Sequence, residues 1–164
     1  MATVDWLRSS DTFRGMSEAD LEAIAAIAWE CECEPGDMVF NEGDPARALY
    51  LMIAGKVALE RNIILGKRTG GRRATFDVAT AGDVFGWSAA VTPFVMTASA
   101  ICLERARYLC IDSEGLRVLL YDRPELGRDF MAEMAKVVSG RLKDTTNRLS
   151  YLLSIASHDL KAPL

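Results

Sequence analysis

Residues 81–103 read AGDVFGWSAAVTPFVMTASAICL. Glycines flank a turn at Gly82-Asp83 and at Gly86, and a short apolar segment follows from Trp87 to Val91. Thr92-Pro93 then breaks the backbone, and Met96–Leu103 has the small and β-branched residues of a strand. A strand end, a glycine and a short helix form a cradle in which backbone N–H groups point outward and no Cβ blocks a ligand. The plain alternative is a barrel corner, because a glycine in a strand also marks a bend.

Outward from this stretch, glycine turns punctuate short apolar runs. The turns are Pro35-Gly36-Asp37, Glu42-Gly43-Asp44-Pro45, Ala54-Gly55-Lys56, Thr69-Gly70-Gly71 and Ala81-Gly82-Asp83. The runs between them are Met38–Phe40, Ala48–Ile53, Val57–Leu65, Ala74–Val78, Thr97–Leu103 and Arg107–Ile111. Short strands at this spacing predict an antiparallel β-roll or jelly-roll barrel. Lys67, Arg68, Arg72 and Arg73 flank the Gly70-Gly71 hairpin and read as a solvated tip.

Helices flank the strands, making the fold class α+β. Ser17-Glu18-Ala19-Asp20 resembles a capping box, and Leu21, Ile24 and Ile27 or Ala28 recur at helical spacing, so residues 17–29 are predicted as an amphipathic helix. Asp112-Ser113 caps a second helix with Leu116, Leu119 and Leu120 on its inner face. Pro124 suits the first turn of a third. Along it Met131, Ala135, Val138, Leu142, Thr145, Leu149, Leu152 and Ala156 alternate in spacings of four and three. That heptad seam predicts a long C-terminal coiled-coil helix and a homodimer through residues 124–156. A helix packed only on its own barrel is the alternative. The expected division is a lead (1–16), a β-roll domain (17–123), a dimerisation and signalling helix (124–156) and a tail (157–164).

Composition excludes several classes. The chain has 164 residues, half of them apolar, enough for one domain with a sizeable core. A net charge of −4 argues against a non-specific nucleic-acid binder, so no nucleic-acid partner is expected. The N-terminus has no secretory pattern, and no apolar run nears the ~18 residues of a membrane span; the expected location is cytoplasmic, with no membrane partner. Cys31, Cys33, Cys102 and Cys110 read as small buried thiols, and no metal site is assigned.

Residues 17–140 resemble a cyclic-nucleotide-binding domain of catabolite-activator-type regulators. The carrying residues are Pro35-Gly36-Asp37, Glu42-Gly43-Asp44, Leu49-Tyr50-Leu51-Met52-Ile53, Gly55-Lys56-Val57 and Gly82-Asp83-Val84-Phe85-Gly86. The resemblance implies ligand contacts at Phe85, Gly86, Trp87, Ser88, Ala89, Met96, Thr97 and Ala98. It also implies a Glu after the glycine for the ribose hydroxyl and an Arg for the cyclic phosphate. Here those positions hold Trp87 and Met96, and no Lys or Arg occurs from Ala74 to Glu104. Micromolar or weaker binding of cyclic AMP or cyclic GMP is the most expected of such a cassette. The cradle then reads as an apolar pocket lined by Phe85, Trp87, Val91, Phe94 and Met96, holding another small effector or filled by its own side chains. No cofactor is assigned beyond that effector.

The tail Ser157-His158-Asp159-Leu160-Lys161-Ala162-Pro163-Leu164 resembles the H box of sensor histidine kinases at all eight positions. His158, the chain's one histidine, occupies the phosphoacceptor position. A neutral imidazole is a nucleophile near pH 7, and the adjacent Asp159 carboxylate can accept a hydrogen bond from one ring nitrogen. His158 lies two positions beyond Ala156, about 200° around the helix from the seam. The resemblance implies the sensor portion of a two-component histidine kinase, ending just after its phosphoacceptor. By itself this portion is not expected to be an enzyme; ATP would enter only through a kinase domain outside this chain, and a response regulator would be the partner of the whole protein. The rivals are a stand-alone cyclic AMP- or cyclic GMP-binding regulatory protein and a ligand-free dimerisation module.

Overall fold

Ser17 caps the helix that follows it. Asp20 N–H donates to Ser17 Oγ (3.2 Å), and the Ser17 hydroxyl donates back to Asp20 Oδ2 (2.7 Å). This satisfies a donor that a helix start otherwise leaves orphaned. The computed structural model describes residues 2–63 and 71–159, the side chains of Ala2 and Asp159 excepted. Lys67, Arg68 and the Gly70 end of the expected hairpin, with the last five residues of the tail, lie outside the described residues.

The lead folds as α1 (Ala2–Ser9), and Leu7 and Phe13 enter the core. The capped helix, α2 (Glu18–Ala25), ends earlier than the predicted 17–29. By Ala28 the chain has become β1 (Ala28–Cys33), which pairs antiparallel with residues 106–111. No local breaker stops the helix at Ala25; the ladder with a distant strand overrides the helical spacing.

The remaining strands are β2 (Met38–Phe40), β3 (Ala48–Ile63), β4 (Arg72–Ala79), β5 (Val84–Phe85) and β6 (Ser99–Asp112). They form one sheet in the order β1-β6-β3-β4, with β2 on β6 and β5 on β3. The antiparallel roll and its flanking helices are as expected, but two pairs of predicted strands are fused. Ala48–Ile53 and the described part of Val57–Leu65, residues 57–63, are parts of β3, and Thr97–Leu103 and Arg107–Ile111 fall largely within β6. Gly55 is therefore a corner within a strand, not a turn between two. The register shifts on both sides of it, its φ is +84°, and a Cβ there would stand 2.2 Å from Arg105 O.

Asp112 caps α3 (Ser113–Asp122), its carboxylate accepting from Gly115 N–H at 2.6 Å. Pro124 then opens α4 (Pro124–Asp159). Leu126, Phe130 and Met134 bury one stripe of α4 in the core, with the Phe130 ring 6.2 Å from that of Phe13. The predicted seam is a different stripe, about 100° around the helix. Its Leu142, Leu149 and Leu152 are 66%, 56% and 61% exposed. No described helix is long and apolar enough to cross a membrane.

Candidate functional site

The cradle stands on an aromatic floor. β5 is only two residues long and pairs with Tyr50 and Leu51 of β3. The Tyr50 ring stacks on Phe85 with centroids 4.9 Å apart, and Phe40 lies 5.3 Å from Tyr50. Burial pushes the Tyr50 phenol up to about 12, so this floor is neutral at physiological pH. Gly86 sits directly above it at φ +72°, where a Cβ would stand 2.7 Å from Tyr50 Cδ2. Left-handed backbone and close approach both require glycine here.

From Gly86 the chain enters a short 3-10 helix, Trp87–Ala90. Arg117 of α3 donates to Ala89 O at 3.0 Å and holds that helix. On the other side, Met96 is fastened to the Gly43 turn, accepting from Gly43 N–H and donating to Asp44 O, each at 2.8 Å. Six expected ligand residues, Gly86, Trp87, Ser88, Met96, Thr97 and Ala98, meet around a cavity of only about 30 Å³, closed by Phe40, Leu59 and Phe76. That is room for about one water. The other two, Phe85 and Ala89, are fully buried in the core and do not line it. The expected apolar pocket is also corrected. Val91 is 52% exposed, and Phe94 lies beneath the Arg117 guanidinium, 4.1 Å from it. Neither reaches the cavity, because the chain turns outward after the 3-10 helix.

The larger space is a cleft of about 490 Å³ between the β-roll and α4. Arg61 and Ile63 of β3 and Phe76 and Asp77 of β4 form one wall, and Trp87 and Thr97 form the end shared with the small cavity. Val138, Arg141, Leu142, Thr145 and Arg148 of α4 close the other side. Part of the expected seam, Val138, Leu142 and Thr145, thus faces this cleft.

Arg141 joins the two walls. Its Nη2 donates to Val84 O at 2.8 Å, and its Nη1 is 2.8 Å from Asp77 Oδ2, off the line of a hydrogen bond. The guanidinium carbon lies 4.8 Å from the centroid of the Trp87 ring. The Asp77 charge and the aromatic face offset the cost of holding a cation in this largely apolar place. A second arginine, Arg148, donates to Phe76 O at 3.0 Å.

The sequence reading missed these cations because they reach the cradle from outside residues 74–104. A signal was present: Arg141 continues the apolar stripe Leu126, Phe130, Met134, Val137, and Arg148 is two turns further on the same face. His158 is exposed near the end of α4, and the backbone stays helical through Asp159. Among the described residues no cluster of three or more His, Cys, Asp or Glu stands at metal-binding distance.

A family model described as "Cyclic nucleotide-binding domain" matches residues 30–122. The CRP-like cAMP-activated global transcriptional regulator of Mycobacterium tuberculosis is 28% identical over 147 residues, covering 90% of this chain. The chain spans only 62% of that regulator's length. The N-terminal domain of a transcriptional regulator from Streptomyces coelicolor superposes with a TM-score of 0.65 at 26% identity, covering 87% of this chain and 96% of that one. A cyclic nucleotide-binding domain from Methylobacillus flagellatus gives a TM-score of 0.72 at 18% identity, a likeness of fold alone, over 89% of this chain and 79% of that one.

Proposed function

The chain belongs to the cyclic nucleotide-binding domain family, and from that premise we propose that it is the sensory part of a two-component histidine kinase. A small effector, a cyclic nucleotide in the first instance, enters the cleft between the β-roll and α4. It shifts α4, and the helix carries the change to His158. Gly86, Trp87, Ser88, Met96, Thr97 and Ala98 form the cassette end of the site.

The observation that carries this reading is Arg141, a single α4 side chain that touches β4, β5 and the cassette residue Trp87. An effector that displaces it or tightens it changes how α4 is held. Occupancy becomes a signal only if the effector binds two helix arrangements with different affinity. The H-box-like tail and the unbroken helix up to it support the kinase context. The exposed seam supports pairing of two copies through residues 124–156, which would hold two His158 side chains on one coiled coil.

One observation favours a second context. The M. tuberculosis relative is named a transcriptional regulator, so a nucleic-acid partner for the longer protein is a live alternative to the expectation of none. The gene downstream of codon 164 separates the two. A frame running into an ATP-binding domain supports the kinase, and one running into a helix-turn-helix replaces it.

Native mass spectrometry of freshly purified protein tests the effector and the pairing together. A dimer is the expected result, with cyclic AMP or cyclic GMP binding at micromolar or weaker affinity when added; a dimer that retains the mass of either from purification would overturn the argument from the missing Glu and Arg. A monomer that also shows no cyclic-nucleotide binding by calorimetry would overturn the reading.

A further inference from the structure

The four cysteines lie on two neighbouring strands, Cys31 and Cys33 on β1 and Cys102 and Cys110 on β6. In the antiparallel ladder Cys31 stands opposite Tyr108 and Cys110 opposite Trp29, so the two are diagonal neighbours on one face of the sheet. Their sulfurs are 3.1 Å apart, the Cys110 thiol donating to Cys31 Sγ. A disulfide holds the same atoms about 2.05 Å apart, so closing one here takes a movement of about 1 Å. The other two thiols are arranged differently. Cys102 turns its thiol to backbone carbonyls, Cys33 O at 3.4 Å and Glu104 O at 3.0 Å, and not to the Cys33 sulfur.

Access also separates the four. Cys33, Cys102 and Cys110 are buried, whereas Cys31 is half-buried on β1, the strand at one end of the sheet order. A small oxidant therefore meets Cys31 first. Burial raises the Cys110 thiol above its usual range, so that it waits protonated beside Cys31. An accessible sulfur in contact with a buried thiol is suited to capture: once the first is oxidised, the second closes on it before further oxygen is added.

We propose that Cys31 and Cys110 are a peroxide-reactive dithiol that closes reversibly to a disulfide between β1 and β6. The Cys31 thiolate attacks one oxygen of hydrogen peroxide and the O–O bond breaks. Cys31 becomes a sulfenic acid, and the other oxygen leaves as hydroxide, which takes up the proton the thiol gave. The Cys110 sulfur then attacks Cys31 Sγ, the S–O bond breaks, and the hydroxyl departs as water with the Cys110 proton. Two thiols are oxidised to one disulfide while one peroxide is reduced to two waters. The bond lies beside the cassette floor, because Cys110 is also the register partner of Tyr50, whose ring stacks on Phe85. This chemistry does not depend on which effector the cleft takes.

The test is hydrogen peroxide added to the reduced, folded 164-residue chain at low protein concentration, followed by unfolding in a maleimide and mass mapping of the peptides. Before labelling, the chain should lose about 2 Da, the mass of two hydrogens. Cys33 and Cys102 should then take the label, a single crosslinked peptide pair should join Cys31 to Cys110, and dithiothreitol should restore all four thiols. Cys33→Ala/Cys102→Ala should still form the bond. Cys110→Ala should not, and its Cys31 should instead gain about 16 and then about 32 Da as sulfenic and sulfinic acid. Four labelled cysteines after peroxide, a crosslink through Cys33 or Cys102, or a link between two chains overturns the proposal. So does sulfenic or sulfinic acid that persists at Cys31 of the unmodified chain while Cys110 stays free.

Discussion

The guanidinium of Arg141 lies 4.8 Å from the centroid of the Trp87 ring, which joins the long helix to the residue standing where the family resemblance implies a glutamate. The contact changes what the cassette can do. A glutamate would offer an acceptor to a ligand hydroxyl; the indole instead offers a face to a cation of the protein itself. Arg141→Gln should destabilise the fold by about 1–2 kcal/mol, since Asp77 loses its counter-charge in a partly buried place. Combined with Trp87→Leu in a double-mutant cycle, it should show a coupling of about 0.5–1 kcal/mol in urea unfolding. Additivity of the two substitutions would mean the stacking contributes nothing.

Glycines with positive φ should separate by surroundings. A Cβ on Gly43, at φ +89°, meets nothing within 4 Å, so Gly43→Ala should cost only the left-handed backbone penalty, about 1–2 kcal/mol. At Gly55 the same atom would strike Arg105 O at 2.2 Å, where β3 and β6 cross. Gly55→Ala is expected to cost more than about 3 kcal/mol, or to prevent folding. Thermal melts of the two variants side by side decide it.

The Asp20 carboxyl is held below its ordinary value of 3.8, first by the Ser17 hydroxyl and then by Arg123. A depressed folded value means stability that is present above 3.8 and lost as pH falls through the folded value. Asp20→Asn should therefore be less stable than the unmodified chain near pH 7, by about 0.5–1 kcal/mol for so accessible a pair. The gap should close in acid, as pH falls through the lowered folded value. A difference independent of pH would rule out the ionised carboxylate as its source.

If residues 124–156 pair two chains, charges on the seam should part them. Leu149→Asp/Leu152→Asp lies beyond the stripe that packs α4 on its own core, so the domain should stay folded while sedimentation moves from twice 18.0 kDa to 18.0 kDa. An unmodified chain that sediments as a monomer at high protein concentration would remove the pairing.

Burial raises the Cys110 thiol well above the usual range and Cys33 to about 12. Cys102 is buried as well, and only Cys31 is partly accessible. In the native protein near pH 8 a thiol reagent should modify at most one cysteine quickly, and all four after unfolding. Rapid reaction of three or four in the folded state would contradict the packing of β1 on β6.

Turns and caps were legible in the residues because their chemistry is local. Asp37, Asp44 and Asp83 each accept from the backbone N–H three positions earlier, at 2.9 Å, so each Gly-Asp turn carries its own lock. Ser17 and Asp112 cap their helices through residues three positions on, and Pro124 opens the next. The end of α2, the fusion of strands at Gly55 and the charge in the cleft came only with the tertiary structure. Residues 26–29 have nothing in them that refuses a helix; the chain turns at Ala26 and Ile27, and the partners Ile111 and Cys110 make Ala28 and Trp29 the start of a strand. Arg61 is separated from Arg141 and Arg148 by dozens of residues and by a change from strand to helix, and the three share a cleft because α4 folds back across the sheet. A hydrogen bond that closes within four residues is written in those four residues, whereas the field inside a cleft is a sum over side chains that only packing brings together.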